Sequence, residues 1–181
     1  VFTSLESGTE YRFYVRYAGN NFYTEAVSDA ADESTLNYRV SYVGADGAQA
    51  LSPEDVNVVR VSSEYLANNG GVLADGWYVV EERADAGALR VKIEGDVHLV
   101  LANGVRLTCD QGIGVSSGNS LTVYGQSNDS SEAGTLLATG RGSHAAIGGE
   151  AAIDCGAVIV NGGTVMARGG TGSAVIGGGP G

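Results

Sequence analysis

Residues 134–150 read GTLLATGRGSHAAIGGE, and residues 163–179, at an offset of 29, read GTVMARGGTGSAVIGGG. Upstream, SLTVYGQ at 120–126 aligns with AVIVNGG at 157–163, at an offset of 37. The offsets differ because the earlier copy contains SNDSSEAG (127–134), a polar insertion of the kind found in loops. A period near 29 residues is typical of chains whose structural units stack along one axis.

The repeated unit contains short runs of strand-forming residues and no helical periodicity. The runs LTVY, TLLA and AAI are separated by glycine or asparagine. A leucine-rich repeat is excluded, because its framework of leucine and asparagine is absent. Residues 97–181 are therefore predicted to form a single-stranded parallel β-helix of about three coils, truncated at its C-terminus. Coils would stack about 4.8 Å apart, with Ile113, Ile147 and Ile176 in one inner column; right-handedness is taken from the commoner class.

Two glycines follow the isoleucine in both copies, Gly148 and Gly149 in the first and Gly177 and Gly178 in the second. They are predicted to be structural corners, where the chain needs a positive φ or a very close backbone approach. A loop that cradles a ligand is the alternative. A dinucleotide site or a P-loop is excluded, because these glycine-rich segments do not open a helix.

The first residues alternate as strands do, with Tyr11, Phe13, Val15 and Tyr17 on one face. The series SLESGTEYRFYVRY…NNFYTEAVS resembles the end of a fibronectin type III-like domain. The resemblance implies that residues 1–36 are the C-terminal part of a β-sandwich, present here as a partial hairpin.

Residues 37–96 are predicted to be a strand-rich connector and the N-terminal cap of the β-helix. Pro53 could open a short helix with Ser52 as its N-cap. However, residues 56–61 contain four valines, which favour a strand, and a strand is predicted. Trp77 is expected to plug the open N-terminal end of the β-helix, because a first coil has bare edges to hide.

Several motifs occur in order over residues 76–181: GWYVV, VHLVLANGVRLT, GNSLTVYGQS, AAIGGE and NGGTVMARGGTGSAVIGGG. Together they resemble a glycine-rich β-helix module of large secreted or surface proteins of gut bacteria, often labelled carbohydrate-binding or uncharacterised. Fibronectin-like modules commonly precede it. The resemblance implies an extracellular protein, secreted or attached to the cell wall, whose neighbours are other domains of the same long chain.

Charge argues against two classes of partner. Ten basic and 21 acidic residues give a net charge of −11, and Lys92 is the only lysine. Nucleic acids and anionic membrane surfaces attract clusters of Lys and Arg, which this sequence lacks. No apolar run approaches the ~20 residues of a membrane span, so no membrane insertion is predicted. Cys109 and Cys155 could form one disulfide, although two thiols packed as small apolar residues are favoured.

Enzymes with a β-helix fold cluster carboxylates on neighbouring coils. The acids of the repeat region do not fall into such a ladder: Asp110, Asp129, Glu132, Glu150 and Asp154. No catalytic residue and no cofactor are therefore predicted.

The remaining charged and titratable residues give no stronger case for a site. His98 and His144 lack partners at metal-ligand spacing, so no metal site is predicted. Arg141 and Arg168 lie near equivalent turns and could flank a sugar carboxylate, but solvated corner residues are favoured.

The candidate glycan contacts are Tyr124, Gln126, Asn128 and Asp129, because sugar-binding β surfaces use an aromatic platform beside polar groups. Tyr124 could instead cover a corner of the coil. The predicted function is a non-catalytic extracellular surface module, a stalk or adhesin-like scaffold whose partner would be a polysaccharide or host glycan. The alternatives are a spacer without a ligand, and a polysaccharide lyase or hydrolase whose catalytic coils lie beyond residue 181.

Overall fold

In this computed structural model, the structure describes residues 38–150 and 152–178, together with the backbone of two N-terminal strands. The chain divides into two compact units, Val1–Asn37 and Tyr38–Gly181. In the first unit, β1 (Phe13–Arg16) and β2 (Tyr23–Ala26) pair antiparallel. The two predicted strands are therefore present, while the turn between them and the rest of the expected sandwich lie outside the described residues.

The second unit is almost entirely β-structure. It begins with an antiparallel hairpin of β3 (Ser41–Val43) and β4 (Gln49–Leu51). Its one described helix is α1 (Ser63–Asn68).

Three parallel sheets follow the hairpin. Sheet 1 consists of β5 (Val58–Arg60), β7 (Gly76–Val80), β10 (Asp96–Leu101), β13 (Ser120–Gly125) and β16 (Ala157–Val160). Sheet 2 consists of β8 (Ala84–Asp85), β11 (Arg106–Cys109), β14 (Thr135–Thr139) and β17 (Thr164–Arg168). Sheet 3 consists of β6 (Val72–Leu73), β9 (Val91–Ile93), β12 (Ile113–Val115), β15 (Ile147–Gly148) and β18 (Ile176–Gly177).

The chain visits the three sheets in a fixed order, and each strand pairs with the strand of the same sheet in the preceding cycle. We call each cycle a rung: rung 1 is 76–93, rung 2 is 96–115, rung 3 is 120–148 and rung 4 is 157–177. An incomplete cycle, β5–α1–β6, precedes rung 1, and α1 contacts β8 at the end of sheet 2.

The observed register agrees with the sequence alignment. Ile113 lies opposite Ile147, and Ile147 lies opposite Ile176, so the predicted column of isoleucines is confirmed. Ser120 lies opposite Ala157, which confirms the offset of 37 in sheet 1. The insertion at 127–134 lies between β13 and β14, where it changes the length of the connection without disturbing the pairing.

Parallel pairing begins earlier than the sequence predicts. Stacked strands were expected from residue 97 in about three coils, whereas pairing starts at Val58 and includes four complete rungs. Rung 1 is not recognisable as a copy of the repeat in the sequence, because Lys92 occupies the position that Gly114 occupies in rung 2. A lysine is tolerated there because its side chain is exposed.

The core lies between the three sheets and is built from columns of matching side chains. In sheet 1, Tyr78, Leu99 and Val123 occupy one inner column and are buried. In sheet 2, Cys109 lies opposite Ala138. Such columns remove apolar surface from water at every rung, which is the main stabilising contribution in a fold of this kind.

Both cysteines are free thiols. Cys109 is buried as predicted and behaves as a small apolar residue in its column, while Cys155 is only half-buried. Burial raises the pKa of Cys109 to about 12, because a thiolate in an apolar interior loses its hydration.

The N-terminal end of the core is covered by α1 rather than by Trp77. The Ser62 hydroxyl accepts the Tyr65 N–H at 3.0 Å and caps the helix, and Leu66 is buried against the core. The expectation that Trp77 plugs this end is wrong. Along β7 the inward residue is Tyr78, so period-two alternation places Trp77 on the outer face of sheet 1.

The residues before α1 form a strand, as predicted from their valines. Ser52 does not act as an N-cap, because its hydroxyl is buried and accepts the Val40 N–H at 3.1 Å. Together with the bond that the Ser52 N–H donates to the Val40 carbonyl at 2.9 Å, it extends the pairing of β3 and β4 by one residue on each strand.

Candidate functional site

Of the four glycines that follow the isoleucines, two have the positive φ expected of corners. Gly148 and Gly177 have φ values of +136° and +135°. A Cβ atom on Gly148 would lie 2.1 Å from the Gly177 carbonyl oxygen, so a side chain there would clash with the next rung. The Gly149 N–H donates to the same oxygen at 2.9 Å. Gly178 has neither feature predicted for a corner: its φ is not positive, and the nearest atom to a Cβ there would be the Ile153 carbonyl oxygen at 3.9 Å, an ordinary contact.

The space beside these glycines is filled by an arginine of the same chain. Arg90 Nη1 donates to the carbonyl oxygens of Gln111 and Ala145 at 2.8 and 3.0 Å. Arg90 Nη2 donates to those of Ile113 and Gly148, both at 3.2 Å. One guanidinium from rung 1 therefore joins backbone carbonyls of rungs 2 and 3.

Glycines in rung 2 make room for this guanidinium. A Cβ on Gly112 would lie 2.7 Å from Arg90 Nη1, and one on Gly114 would lie 3.3 Å from Nε. Glu150 approaches Nε at 3.6 Å. Burial lowers the pKa of Arg90, and the Glu150 carboxylate opposes that shift. Arg90 thus occupies the space beside the glycines of sheet 3. This favours a structural role for these glycines over a loop that cradles a ligand.

The four candidate glycan contacts do not form an open platform. Tyr124 is 8% exposed, and its ring lies 4.6 Å from the ring of Tyr42 in the β3–β4 hairpin. The expected exposed platform is therefore wrong at Tyr124, because the hairpin covers the ring.

The polar candidates beside Tyr124 also contact protein. The Gln126 carbonyl accepts a bond from Gln49 Nε2 at 2.9 Å, and Asn128 Nδ2 donates to the Gly47 carbonyl at 3.0 Å. Asp129 accepts bonds from the backbone and hydroxyl of Ser131, which lower its pKa. Asn128 joins the hairpin to the insertion, Gln126 accepts a bond from the hairpin just before the insertion, and Asp129 shapes the insertion itself.

Aromatic rings stack along the outer face of sheet 1. Trp77 in rung 1 stacks on His98 in rung 2, with centroids 4.4 Å apart and planes 9° apart. Tyr124 of rung 3 follows, 5.9 Å from His98, with its hydroxyl 3.0 Å from His98 Nδ1. Tyr42 packs against Trp77 and Tyr124. Burial raises the pKa of Tyr124, chiefly by removing water from the phenol.

A cleft of 370 Å³ opens where this stack meets the start of sheet 1. Its walls include three carboxylates, one amide and two rings: Asp55, Asp75, Asp96, Asn57, Trp77 and His98. The carboxylates make the cleft acidic, and the amide adds a hydrogen-bond donor. Because these polar side chains line one opening, we take it as the candidate functional site.

Asp75 and Asp96 occupy equivalent positions, immediately before the paired residues Gly76 and Val97. Asp75 Oδ1 accepts the Asp96 N–H at 2.9 Å. Asp96 Oδ2 lies 3.4 Å from His98 Nε2, and the Ser120 hydroxyl donates to Asp96 Oδ1. A continuous polar chain therefore runs from Ser120 through Asp96 and His98 to the Tyr124 hydroxyl.

Chemically, the cleft offers acceptors and donors for hydroxyl-bearing or cationic ligands. Carboxylates accept two hydrogen bonds or more, and an amide both accepts and donates, as sugar hydroxyls require. Among residues 38–150 and 152–178, no group of three or more His, Cys, Asp and Glu side chains is arranged to hold a metal ion.

The acids of this site lie before the repeat at residues 120–179, so a comparison of acids within that repeat does not include them. The pattern was nevertheless present: Asp75-Gly-Trp77 and Asp96-Val-His98 share one spacing, each directly before a run of apolar residues. A comparison of ADGWYVV with GDVHLVL would have placed both acids and both rings at matching positions.

The other candidates are not brought into this cleft. Arg141 Nε donates to the Asp110 carbonyl at 3.1 Å, and Arg168 lies in β17. His144 precedes β15, and its carbonyl accepts the Ser173 hydroxyl at 2.9 Å. The remaining acids of the repeat region are dispersed: Glu132 in the insertion and Asp154 between β15 and β16.

In the described part of the chain, no helix has the length and apolarity of a membrane span. Comparisons with protein-family models, curated proteins and solved structures find no match to this chain.

Proposed function

We propose that the chain is a non-catalytic extracellular surface module, in which a right-handed β-helix acts as a scaffold and the cleft beside Trp77 binds carbohydrate. The binding proposal is carried by one observation: Asp75 and Asp96 stack on neighbouring rungs beside Trp77 and His98.

The β-helix part is supported by the strand order. Each of the three sheets receives one strand per rung, and consecutive strands of a sheet are parallel. A chain that passes through three sheets in a repeating order, and places each new strand beside the previous strand of the same sheet, winds as a helix of strands. Right-handedness is supported by the general rule that connections between parallel strands of one sheet are right-handed.

The extracellular part is supported by composition and by resemblance to surface modules of gut bacteria. A net charge of −11 with one lysine favours a soluble surface that does not bind nucleic acid. The partners would be a polysaccharide or host glycan and the other domains of a longer chain. In such a protein the rungs would act as a stiff stalk, because every strand is held by its neighbours.

Carbohydrate binding is supported by the chemistry of the cleft. Sugars present many hydroxyls, which pair with planar carboxylates and amides such as Asp75, Asp96 and Asn57. Trp77, which is buried on the outer face of sheet 1 and 8% exposed, lines the cleft beside them. The side chain of Asp96 is already held by Ser120 and His98, so it loses little freedom when a ligand binds.

A glycan array probed with the labelled 181-residue chain tests this proposal. We expect retention on at least one polysaccharide class. Asp96→Asn keeps the shape of the side chain but removes its charge, and should weaken binding about tenfold or more, since hydrogen bonds to a charged group contribute about 1.5–3 kcal/mol.

Asp129→Asn is the matched control, because Asp129 is exposed in the insertion and outside the cleft. It should leave affinity unchanged. Loss of binding in Asp129→Asn but not in Asp96→Asn would move the site to the insertion. Binding to no glycan would favour a spacer without a ligand.

The second candidate function is a polysaccharide lyase or hydrolase. It is favoured by the same stacked carboxylates, because catalysis on a β-helix uses acids on neighbouring coils with a proton carrier such as His98 nearby. The alternative predicted from sequence placed the catalytic coils outside this chain. Release of reducing ends from a polysaccharide that the array retains, abolished by Asp75→Asn, would establish catalysis by this chain; unchanged polysaccharide would support the binding module.

A further inference from the structure

His98 lies on the outer face of sheet 1, and both of its ring nitrogens have polar neighbours. Its Nδ1 lies 3.0 Å from the Tyr124 hydroxyl, and its Nε2 lies 3.4 Å from Asp96 Oδ2. The side chain is 24% exposed, so part of the ring reaches the cleft while the rest packs against the rings of neighbouring rungs. Histidine is the side chain that ordinarily changes its charge between about pH 5 and 8.

These neighbours determine which nitrogen carries the proton in the neutral ring. A carboxylate oxygen only accepts hydrogen bonds, so the nitrogen that faces Asp96 carries the N–H. Nδ1 is then an acceptor, and the Tyr124 hydroxyl donates to it at 3.0 Å. The neutral form of His98 is therefore the Nε2–H tautomer.

A second proton on the ring reverses this hydrogen bond. It binds at Nδ1, which changes from an acceptor to a donor. The Tyr124 hydroxyl then turns to accept the new N–H, and its own proton is directed to Thr122, its other hydrogen-bond partner. The imidazolium lies beside the Asp96 carboxylate and stacks on Trp77, with ring centroids 4.4 Å apart. Both contacts stabilise a cation.

The charged groups around the ring are all negative. The side chains that line the cleft with His98 include three acids, from the segments before β5 and β7 and from β10 itself: Asp55, Asp75 and Asp96. None of the described residues that line the cleft is Lys or Arg. The titratable group that packs on the ring from the next rung is the phenol of Tyr124 on β13, which Tyr42 of β3 covers. A proton on His98 therefore places one positive charge among three carboxylates.

We propose that His98 is a pH-sensitive switch of the cleft. Above neutral pH the ring is uncharged, and Asp96 Oδ2 is available to accept hydrogen bonds from a ligand. Below neutral pH the ring is an imidazolium that engages Asp96, so the cleft loses an acceptor and one unit of its negative charge. The effect on a ligand rests on the proposed function, whereas the change in the ring does not.

Fluorescence of Trp77 tests the switch in the 181-residue chain without a ligand. Trp77 is the only tryptophan, and an imidazolium stacked on an indole quenches its emission because it accepts an electron from the excited ring. We expect the emission to fall from about pH 8 to about pH 5, as one proton binds. His98→Gln should abolish this change. His144→Gln, which alters the other histidine, outside the cleft, should retain it.

A constant emission in the parent chain would overturn the proposal, and so would the same titration in His98→Gln or its loss in His144→Gln.

Nuclear magnetic resonance follows the proton on the ring directly. Long-range proton–nitrogen spectra should show His98 as the Nε2–H tautomer at about pH 8 and as the doubly protonated ring at about pH 5. The Cζ resonance of Tyr124, assigned by its loss in Tyr124→Phe, should move with the same midpoint, because the hydroxyl changes from donor to acceptor. An Nδ1–H tautomer at the higher pH, or a Tyr124 resonance that does not move, would overturn the proposal.

The affinity for a glycan that the array retains tests the effect on the ligand. A change from about pH 8 to about pH 5 should weaken binding about threefold or more, because Asp96 gives up an acceptor to the imidazolium. The affinity of His98→Gln should not follow this titration. A constant affinity while the ring titrates would overturn the control of the cleft by His98. If no glycan binds, the proposed function fails, and the titrations without ligand still decide whether the ring switches.

Discussion

Sheets 1 and 3 are built by the same rungs, but the inner column of sheet 3 repeats one residue type, whereas the outer column of sheet 1 changes from rung to rung. In sheet 3 the column of Ile113, Ile147 and Ile176 hardly changes, and the glycines beside it leave room for Arg90. In sheet 1 the outer column changes at each rung, from Trp77 to His98 to Thr122. A stacked corner with a positive φ requires glycine in every rung, whereas a binding site requires different side chains next to one another. Ile113 and Ile147 of the constant column lie in the core, whereas Trp77 and His98 of the variable column line the cleft.

The largest effect should come from a side chain at the corner of sheet 3. Gly148→Val combines a left-handed φ with a clash at the Gly177 carbonyl, and should destabilise the chain by about 3 kcal/mol or more. Gly104→Val is the control: its φ is also positive, +69°, but nothing lies within 4 Å of its Cβ position. It should cost about 1–2 kcal/mol. Urea unfolding measures both, and equal costs would contradict the role of close approach.

Removal of the guanidinium should have the next largest effect. Arg90→Met retains the apolar stem but leaves four carbonyl oxygens on rungs 2 and 3 without that donor. We expect a loss of about 2–4 kcal/mol in unfolding free energy. Arg83→Met changes an exposed arginine in the same rung and should cost less than about 0.5 kcal/mol. If the two variants unfold alike, Arg90 does not join the rungs energetically.

In sheet 1, Tyr42→Ala should uncover the ring stack. The ring of Tyr42 packs on Trp77 and Tyr124, so its removal should cost about 2–3 kcal/mol. Trp77 is the only tryptophan, and its fluorescence should shift to longer wavelength as water reaches the indole. Tyr42→Phe keeps the ring and should leave the emission unchanged. An unshifted spectrum in Tyr42→Ala would mean that the hairpin does not cover the stack.

The sequence predicts sheet 3 better than sheet 1 for a physical reason. Ile147 and Gly148 recur because a stacked corner tolerates few alternatives, so the offset of 29 is visible. Rung 1 is hidden because Lys92 can point to solvent where later rungs have glycine. Helix α1 is six residues long and depends on its Ser62 cap and on Leu66 packing, so it leaves little periodicity to read.

The site was harder to predict than the fold, because it depends on contacts between residues far apart in sequence. Nothing local to Tyr124 indicates that Tyr42 covers it. The cleft likewise joins Asp55, from the segment before β5, to Asp75 and Asp96 on two rungs. Only the spacing Asp-x-Trp and Asp-x-His pointed to it.

The smallest effect should come from the thiol in sheet 2. Cys109 lies opposite Ala138, so Cys109→Ala should cost about 1 kcal/mol at neutral pH. Its folded pKa of about 12 lies above the value of 9.0 for a free thiol. Above pH 9 the unfolded chain loses the proton while the folded chain keeps it, so stability should fall between about pH 9 and 12. This part of the fall in unfolding free energy at alkaline pH should be absent in Cys109→Ala. If the parent chain and Cys109→Ala lose stability identically with pH, the thiol is not buried as described.

Consecutive rungs lie parallel and in register, and a disulfide scan across sheet 2 tests this most directly. Thr135 lies opposite Thr164, and both side chains point away from the core. In a Cys155→Ser background, Thr135→Cys with Thr164→Cys should oxidise to an intramolecular disulfide, identified by peptide mass mapping, since neighbouring parallel strands meet the distance a disulfide needs. Thr135→Cys with Val165→Cys should remain reduced, because a shift of one residue turns the second thiol to the opposite face. Oxidation of the shifted pair alone, or of neither pair, would contradict the account.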